Sequence, residues 1–162
     1  MLFRSEVDLR DFPMSVYNPD DHANKGFDEN ALKFQQILSG HDALLIATPE
    51  YNGSIPGGLK NAIDWASRPW GQNSFARKPS GVIGTSPGSI GTAVAQSHLR
   101  GVLCFCNSPL MNTVEAYIQF TPGLITAEGE VTNEASAEFL RNYMSEFKAF
   151  ITRVLTVLPR EA

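Results

Sequence analysis

The chain has 162 residues, 43% of them apolar and 19% charged. That is the size of one ordinary domain, with enough apolar content for a core, so wholesale disorder is excluded. Lys and Arg total 13 against 17 Asp and Glu, a formal charge of −4, which gives no electrostatic reason to expect nucleic acid or an anionic membrane as partner.

The elements read as β-like runs alternating with helical patterns, the mark of an α/β domain on a mostly parallel sheet. The opening Met1-Leu2-Phe3-Arg4-Ser5-Glu6 meets charge too early for a secretory signal, and a cytoplasmic protein is the expectation. Ser5-Glu6-Val7-Asp8-Leu9 predicts a first strand, closed by Asp11-Phe12-Pro13. Tyr17-Asn18-Pro19-Asp20-Asp21 reads as an irregular, turn-rich stretch. A helix follows, with Asp28 as N-cap, Ala31, Phe34 or Leu32, Ile37 and Leu38 at helical spacing, and Gly40 as its stop.

Ala43-Leu44-Leu45-Ile46-Ala47-Thr48 is a continuous apolar run of strand length, which predicts a strand covered on both faces. It breaks into the loop Pro49 to Pro56. The next helix carries Leu59, Ile63 and Ala66 on one stripe and stops before Pro69. Ser80 to Gly84 predicts another interior strand. Thr85-Ser86-Pro87-Gly88-Ser89-Ile90-Gly91 then opens a helix with Val94, Leu99, Val102, Leu103 and Cys106 inward. A short strand is expected near Leu110 to Val114 and a turn at Glu128-Gly129-Glu130. A long last helix starts about Asn133 and carries Phe139, Leu140, Tyr143, Phe147, Phe150, Ile151, Val154 and Leu158. Cys104 and Cys106 match no disulfide, zinc or CxxC spacing, and are expected to be buried free thiols. His22, His41 and His98 show no metal-ligand spacing.

In open α/β sheets, ligands bind at the carboxyl ends of the strands. Two loops leave interior strands there, Pro49 to Pro56 and Thr85 to Gly91, both built from Gly, Pro and small polar residues and both feeding a helix N-terminus. Two such loops could grip a flat, polar-rimmed ring system; on spacing alone they could equally be ordinary turns.

The run Thr48-Pro49-Glu50-Tyr51-Asn52-Gly53-Ser54-Ile55-Pro56-Gly57-Gly58-Leu59-Lys60-Asn61-Ala62-Ile63-Asp64-Trp65-Ala66-Ser67-Arg68-Pro69 closely resembles the signature of the NADPH-dependent FMN reductase family. Thr85 to Gly91 and Ala95-Gln96-Ser97-His98-Leu99-Arg100 are similar to that family as well, and the order of elements agrees over nearly all of the chain. The resemblance implies a flavodoxin-like, three-layer α/β/α fold with a parallel sheet. It implies non-covalent FMN, with NADPH or NADH as hydride donor and a quinone or similar small molecule as acceptor. Pro49, Glu50, Tyr51 and Asn52 would lie along the isoalloxazine ring, mainly through backbone groups, with Ser54 and Ile55 completing that loop. Ser86, Pro87, Gly88 and Gly91 would close the other side. No side-chain catalyst is required, because the cofactor carries the hydride chemistry.

Members of the family begin with a strand, a phosphate-binding loop resembling Gly-Ser-x-Arg-x-x-Ser-x-Asn, and a first helix. Here the sequence opens at what reads as the family's second strand, Ser5 to Leu9. An N-terminally incomplete domain is therefore expected, whether the native protein is longer, the chain is a fragment, or the loop has been lost. The strand at 43–48 would then show an open edge.

Glu50 could relay a proton to a quinone or serve only as loop backbone, and Tyr51 could stack on substrate, reach a partner subunit or pack. Lys60, Asp64 and Arg68 share one helix face, either as a solvated ion-pair ladder or as a subunit contact. Trp65 lies beside that face and suits core or interface; Arg100 and Arg141 could fix subunit contacts. The family resemblance implies a homodimer or homotetramer. The expected activity is that of an NAD(P)H-dependent FMN reductase of quinone-reductase type. Two rivals remain: a flavodoxin-type electron carrier, usually far more acidic, and a non-catalytic remnant that has lost FMN phosphate binding.

Overall fold

The computed structural model describes residues 4–159. The chain divides into two compact units, Met1–His41 with Gly57–Phe75, and Asp42–Pro56 with Ala76–Ala162.

The first unit is helical: α1 (Pro19–Lys25), α2 (Glu29–Ser39) and α3 (Gly57–Ala66). The Asn18-Pro19-Asp20-Asp21 stretch, expected as a turn, starts α1 instead. The Asn18 side chain accepts from the N–H groups of Asp20 and Asp21, and Pro19 occupies the first turn, where its missing N–H costs nothing. In α2 the buried residues are Ala31, Phe34 and Leu38, and the Asp28 side chain caps the N–H groups of Asn30 and Ala31. Asp28 also accepts from the N–H and hydroxyl of Ser15. Burial raises the Asp28 carboxyl, but these hydrogen bonds outweigh it and hold the group below its ordinary value of 3.8. The stabilisation is therefore present above pH ~4 and lost as pH falls through the lower folded-state value. Asp28→Ala is expected to cost about 1–2 kcal/mol at neutral pH, the typical worth of a cap. It should also flatten the acid limb of stability measured by urea unfolding at stepped pH.

Trp65 is core rather than interface: it is buried, and its indole N–H donates to the Ser15 carbonyl at 2.8 Å. Tyr17, His22 and Phe27 pack around its ring with centroids 5.0–5.5 Å away. The proposed charge ladder is shorter than its spacing suggests. Lys60 and Asp64 pair at 2.7 Å, but α3 ends at Ala66 and the Arg68 guanidinium lies over the Tyr17 ring at 5.2 Å.

The second unit holds a three-stranded parallel sheet of β1 (Leu44–Ala47), β2 (Ser80–Ser86) and β3 (Ala116–Gln119), in the order β1-β2-β3. It also holds α4 (Ala93–Phe105) and α5 (Glu134–Val157). The central strand is glycine-rich because two layers press on it. A Cβ on Gly81 would meet Tyr143 and Phe147 of α5, and one on Gly84 would meet Thr92 at the start of α4. Residues three apart on a strand face opposite sides, so α4 and α5 cover opposite faces of β2. Met111, Ala116, Tyr143 and Phe147 form a buried cluster with Ile83, Phe150 and Ile151 against it. The Tyr143 hydroxyl donates to the Val82 carbonyl at 3.0 Å, and burial pushes its phenol above its ordinary value.

Several expectations change here. Ser5 to Leu9 is not a strand: Leu9–Asp11 is a short 3-10 turn capped by Asp8, with no strand before it among the described residues. An extended segment gains ladder hydrogen bonds only beside a partner strand. The run at 43–48 is not covered on both faces either. β1 is an edge strand whose residues alternate between half-buried and exposed, with Leu45 41% exposed. The N–H groups of Leu44 and Thr48 donate to Pro79 and Ile83, on the β2 side. By alternation those of Leu45 and Ala47 point to the other edge, where no described strand pairs. Near Leu110 to Val114 there is only one bridge, Leu110 to Ser80, and the strand proper begins at Ala116. In α4, Leu99, Leu103 and Cys106 are buried as expected, but Val94 and Cys104 are exposed. The inward stripe runs through Ala95, Gln96, Leu99 and Leu103. Phe139 of α5 is likewise exposed.

Candidate functional site

The two loops expected to carry chemistry both belong to the second unit, at the carboxyl ends of β1 and β2. The first is a rigid tight turn. Tyr51 and Ser54 exchange backbone hydrogen bonds, N–H of Tyr51 to O of Ser54 at 2.9 Å and the reverse at 3.1 Å. Between them Asn52 and Gly53 take φ of 52° and 71°. Two successive positive φ values define a type I′ turn, for which Asn-Gly is the preferred pair. Tyr51, at 61% exposure, projects from it with Asn52 and Gly53. Ser54 and Ile55 are half-buried, and Pro49 is exposed.

The second loop closes on its own hydroxyl. Ser86 Oγ donates to the Gly91 carbonyl and accepts from the Gly88 N–H at 3.2 Å. The Gly91 N–H donates to Gly88 O at 3.0 Å. Pro87 and Gly88 are exposed on its crest, and Gln119 of β3 holds the Pro87 carbonyl at 3.2 Å. At the base of this loop the Thr85 hydroxyl is buried without a hydrogen-bond partner.

The loops are tied together through α4. Glu50 Oε2 accepts from the Ala95 N–H at 3.0 Å, and Ser54 Oγ lies 3.0 Å from His98 Nδ1. Sequence reading placed all ten candidate residues on these two loops, and the fold brings both loops to one edge of the sheet. It missed the roles of Ala95 and His98. Only their spacing of three on α4 could have hinted that they share a face, and nothing local names their partners. Further along α4, Arg100 donates to the Tyr117 hydroxyl at 3.1 Å, and Tyr117 donates to Glu115 at 2.7 Å. Burial, then the Glu115 hydrogen bond, raises the Tyr117 phenol against the opposing pull of Arg100. Arg141 pairs with Glu134. Among the described residues no cluster of His, Cys, Asp and Glu could hold a metal ion, and no helix is long and apolar enough to cross a membrane.

This set fits the ring of a flavin: exposed backbone on a rigid turn, a second glycine-rich crest beside it, and an unpaired buried hydroxyl at the sheet edge. Glu50 is the single charged residue in Pro49 to Pro56, and Ser86 to Gly91 has none.

Comparison with known proteins agrees. The profile of the family described as NADPH-dependent FMN reductase matches residues 5–123. A 2-hydroxy-1,4-benzoquinone reductase of Burkholderia is 46% identical over 145 residues, 90% of this chain and 77% of the relative. An NAD(P)H-dependent FMN reductase of Pseudomonas aeruginosa is 37% identical over 91% of this chain and 80% of its own length. Among solved structures, the FerB flavoenzyme NAD(P)H:(acceptor) oxidoreductase of Paracoccus denitrificans superposes with a TM-score of 0.81 at 44% identity, covering 90% of this chain and 78% of that one. With the profile matched over most of its length, the chain belongs to the NADPH-dependent FMN reductase family.

Proposed function

We propose that the chain takes hydride from NAD(P)H onto FMN and passes the electrons to a quinone or similar small acceptor. The balance is NAD(P)H plus a proton plus quinone, giving NAD(P)⁺ plus hydroquinone. The observation that carries this is the type I′ turn at Tyr51–Ser54 held beside the Ser86–Gly91 loop on one sheet edge, in a chain of this family. FMN supplies, when bound, two-electron hydride acceptance and release.

The protein's part is placement. Pro49, Glu50, Tyr51 and Asn52 offer backbone groups to one side of the ring, with Ser54 and Ile55 at the end of the turn. Ser86, Pro87, Gly88 and Gly91 bound the other side, and fixed N–H dipoles favour the charge that builds up on reduction. Tyr51, exposed at the start of the turn, would stack against an acceptor. The enzyme would work in the cytoplasm as a homodimer or homotetramer.

The test is to titrate FMN into the purified chain while following flavin fluorescence, then add NADPH without oxygen. Quenching followed by bleaching of the yellow colour, with no partner protein present, supports the enzyme reading over an electron carrier. A folded sample that leaves flavin fluorescence unchanged at millimolar FMN would overturn it in favour of a non-catalytic relative.

A further inference from the structure

We infer that Glu50 is a positioning residue, acting through α4 to set the shape of the turn that meets the flavin ring; the inference rests on the FMN reading above. The first turn of a helix leaves N–H groups without partners, and the residue before it normally supplies a side-chain acceptor. In α4 that residue is Thr92, which makes no such cap. Its hydroxyl accepts instead from the Gln96 amide at 2.9 Å. The missing acceptor comes from 45 residues upstream: Glu50 Oε2, 3.0 Å from the Ala95 N–H. A carboxylate is also the charge that the positive end of the helix favours.

The second tie lies three residues on. Ser54 Oγ meets His98 Nδ1 at 3.0 Å, and because a hydroxyl both donates and accepts, the bond does not depend on the imidazole tautomer. Glu50 and Ser54 bracket the tight turn at Tyr51–Ser54, so the turn is held to α4 at both ends. Its backbone is thereby fixed before any ligand arrives, which lowers the ordering cost of binding. One oxygen of the Glu50 carboxylate is committed to this bond, which gives the side chain a holding role.

The experiment compares the wild-type chain with Glu50→Ala and Glu50→Gln, reading amide hydrogen exchange and FMN affinity together. In Glu50→Ala, exchange at Ala95, Tyr51 and Ser54 should speed up by about tenfold, the scale of a lost cap. FMN should bind about tenfold more weakly while α5 and the central strand keep their protection. Glu50→Gln keeps an acceptor oxygen and should recover most of both losses. Unchanged exchange at those three amides in Glu50→Ala would overturn the inference. So would faster exchange with undiminished FMN affinity, which would make the tie purely structural. If the wild-type chain binds no FMN, the functional reading fails on its own, and the exchange data alone decide whether Glu50 orders the turn.

Discussion

Gly84→Ala is expected to lower stability by about 3 kcal/mol or more, the upper range for forcing a methyl group into a filled site. For a chain of this size that is a fall in melting temperature of roughly 6–12 °C. The cause is geometric. A Cβ at Gly84 would stand 2.2 Å from the Thr92 hydroxyl and 2.3 Å from the carbonyl oxygen of Thr48. Neither can yield cheaply. Thr92 is buried and engaged by Gln96, and Thr48 directly follows β1, its own N–H bonded to Ile83. The bare backbone of Gly84 is what lets the end of β1 and the start of α4 approach the central strand together. Since one candidate loop leaves β1 and the other leads into α4, any shift that relieves the clash also separates the two loops. Flavin affinity should therefore fall with stability. The paired control is Gly101→Ala. Gly101 lies in α4 with nothing within 4 Å of an added Cβ, so alanine there should stabilise by about 0.5–1 kcal/mol through helix propensity. Thermal melts of the two variants should move in opposite directions. A Gly84→Ala melt within 2 °C of wild type would show that the strand accommodates a methyl group there without cost.

Where the sequence was legible, a local signal and the tertiary structure agreed. Asp28 and Gly40 bracket α2, Asn133 caps α5, and Tyr143 and Phe147 follow the helical period into the core. The loop from Pro49 to Pro56 was readable because Gly, Pro and small polar residues break the apolar run before it, whereas the type I′ turn at Asn52-Gly53 shows only in the structure. The misreadings share a different cause: they depended on partners that no short window contains. The pattern at Ser5 to Leu9 alternates properly, yet a strand is defined by what pairs with it. The run Ala43 to Thr48 is apolar enough for a strand covered on both faces, yet coverage is a property of neighbours, and in the described chain Leu45 stands exposed at an edge. Asn18-Pro19 illustrates a third case, in which the same residue types favour a turn and begin a helix, and the chain beyond decides. The candidate site divides the same way. Its loops are sequence features, whereas the bonds of Glu50 to Ala95 and Ser54 to His98 span 45 and 44 positions and emerge only with the fold.

Gly91→Ala is expected to damage the second loop as Gly84→Ala damages the sheet beneath it, but by two mechanisms that can be separated. Gly91 has φ of 58°, a conformation that costs an L-residue with a side chain roughly 1–2 kcal/mol. In addition its Cβ would sit 2.8 Å from Ile118 N, 2.9 Å from Tyr117 C and 3.0 Å from Ile118 O, all backbone atoms of β3. Strain alone would leave β3 in place. The clash requires either β3 or the loop to move, and the sum should reach about 3 kcal/mol or more. Amide exchange distinguishes the two contributions. The Phe120 N–H donates to Ser86 O at 2.8 Å and closes the β2·β3 edge next to the loop. If the clash dominates, Phe120 and Ile118 should lose protection well beyond the global change. If only φ strain acts, all amides should lose protection by the same factor. Gly88→Ala supplies the internal reference. Its Cβ would meet nothing closer than Ser86 Oγ at 3.4 Å, ordinary contact, so its melt should stay within about 0.5 kcal/mol of wild type. A loop that tolerates a methyl group at Gly88 and rejects one at Gly91 is fastened at its β3 end and open on its crest, and an open crest is what a ring lying against Pro87 and Gly88 requires.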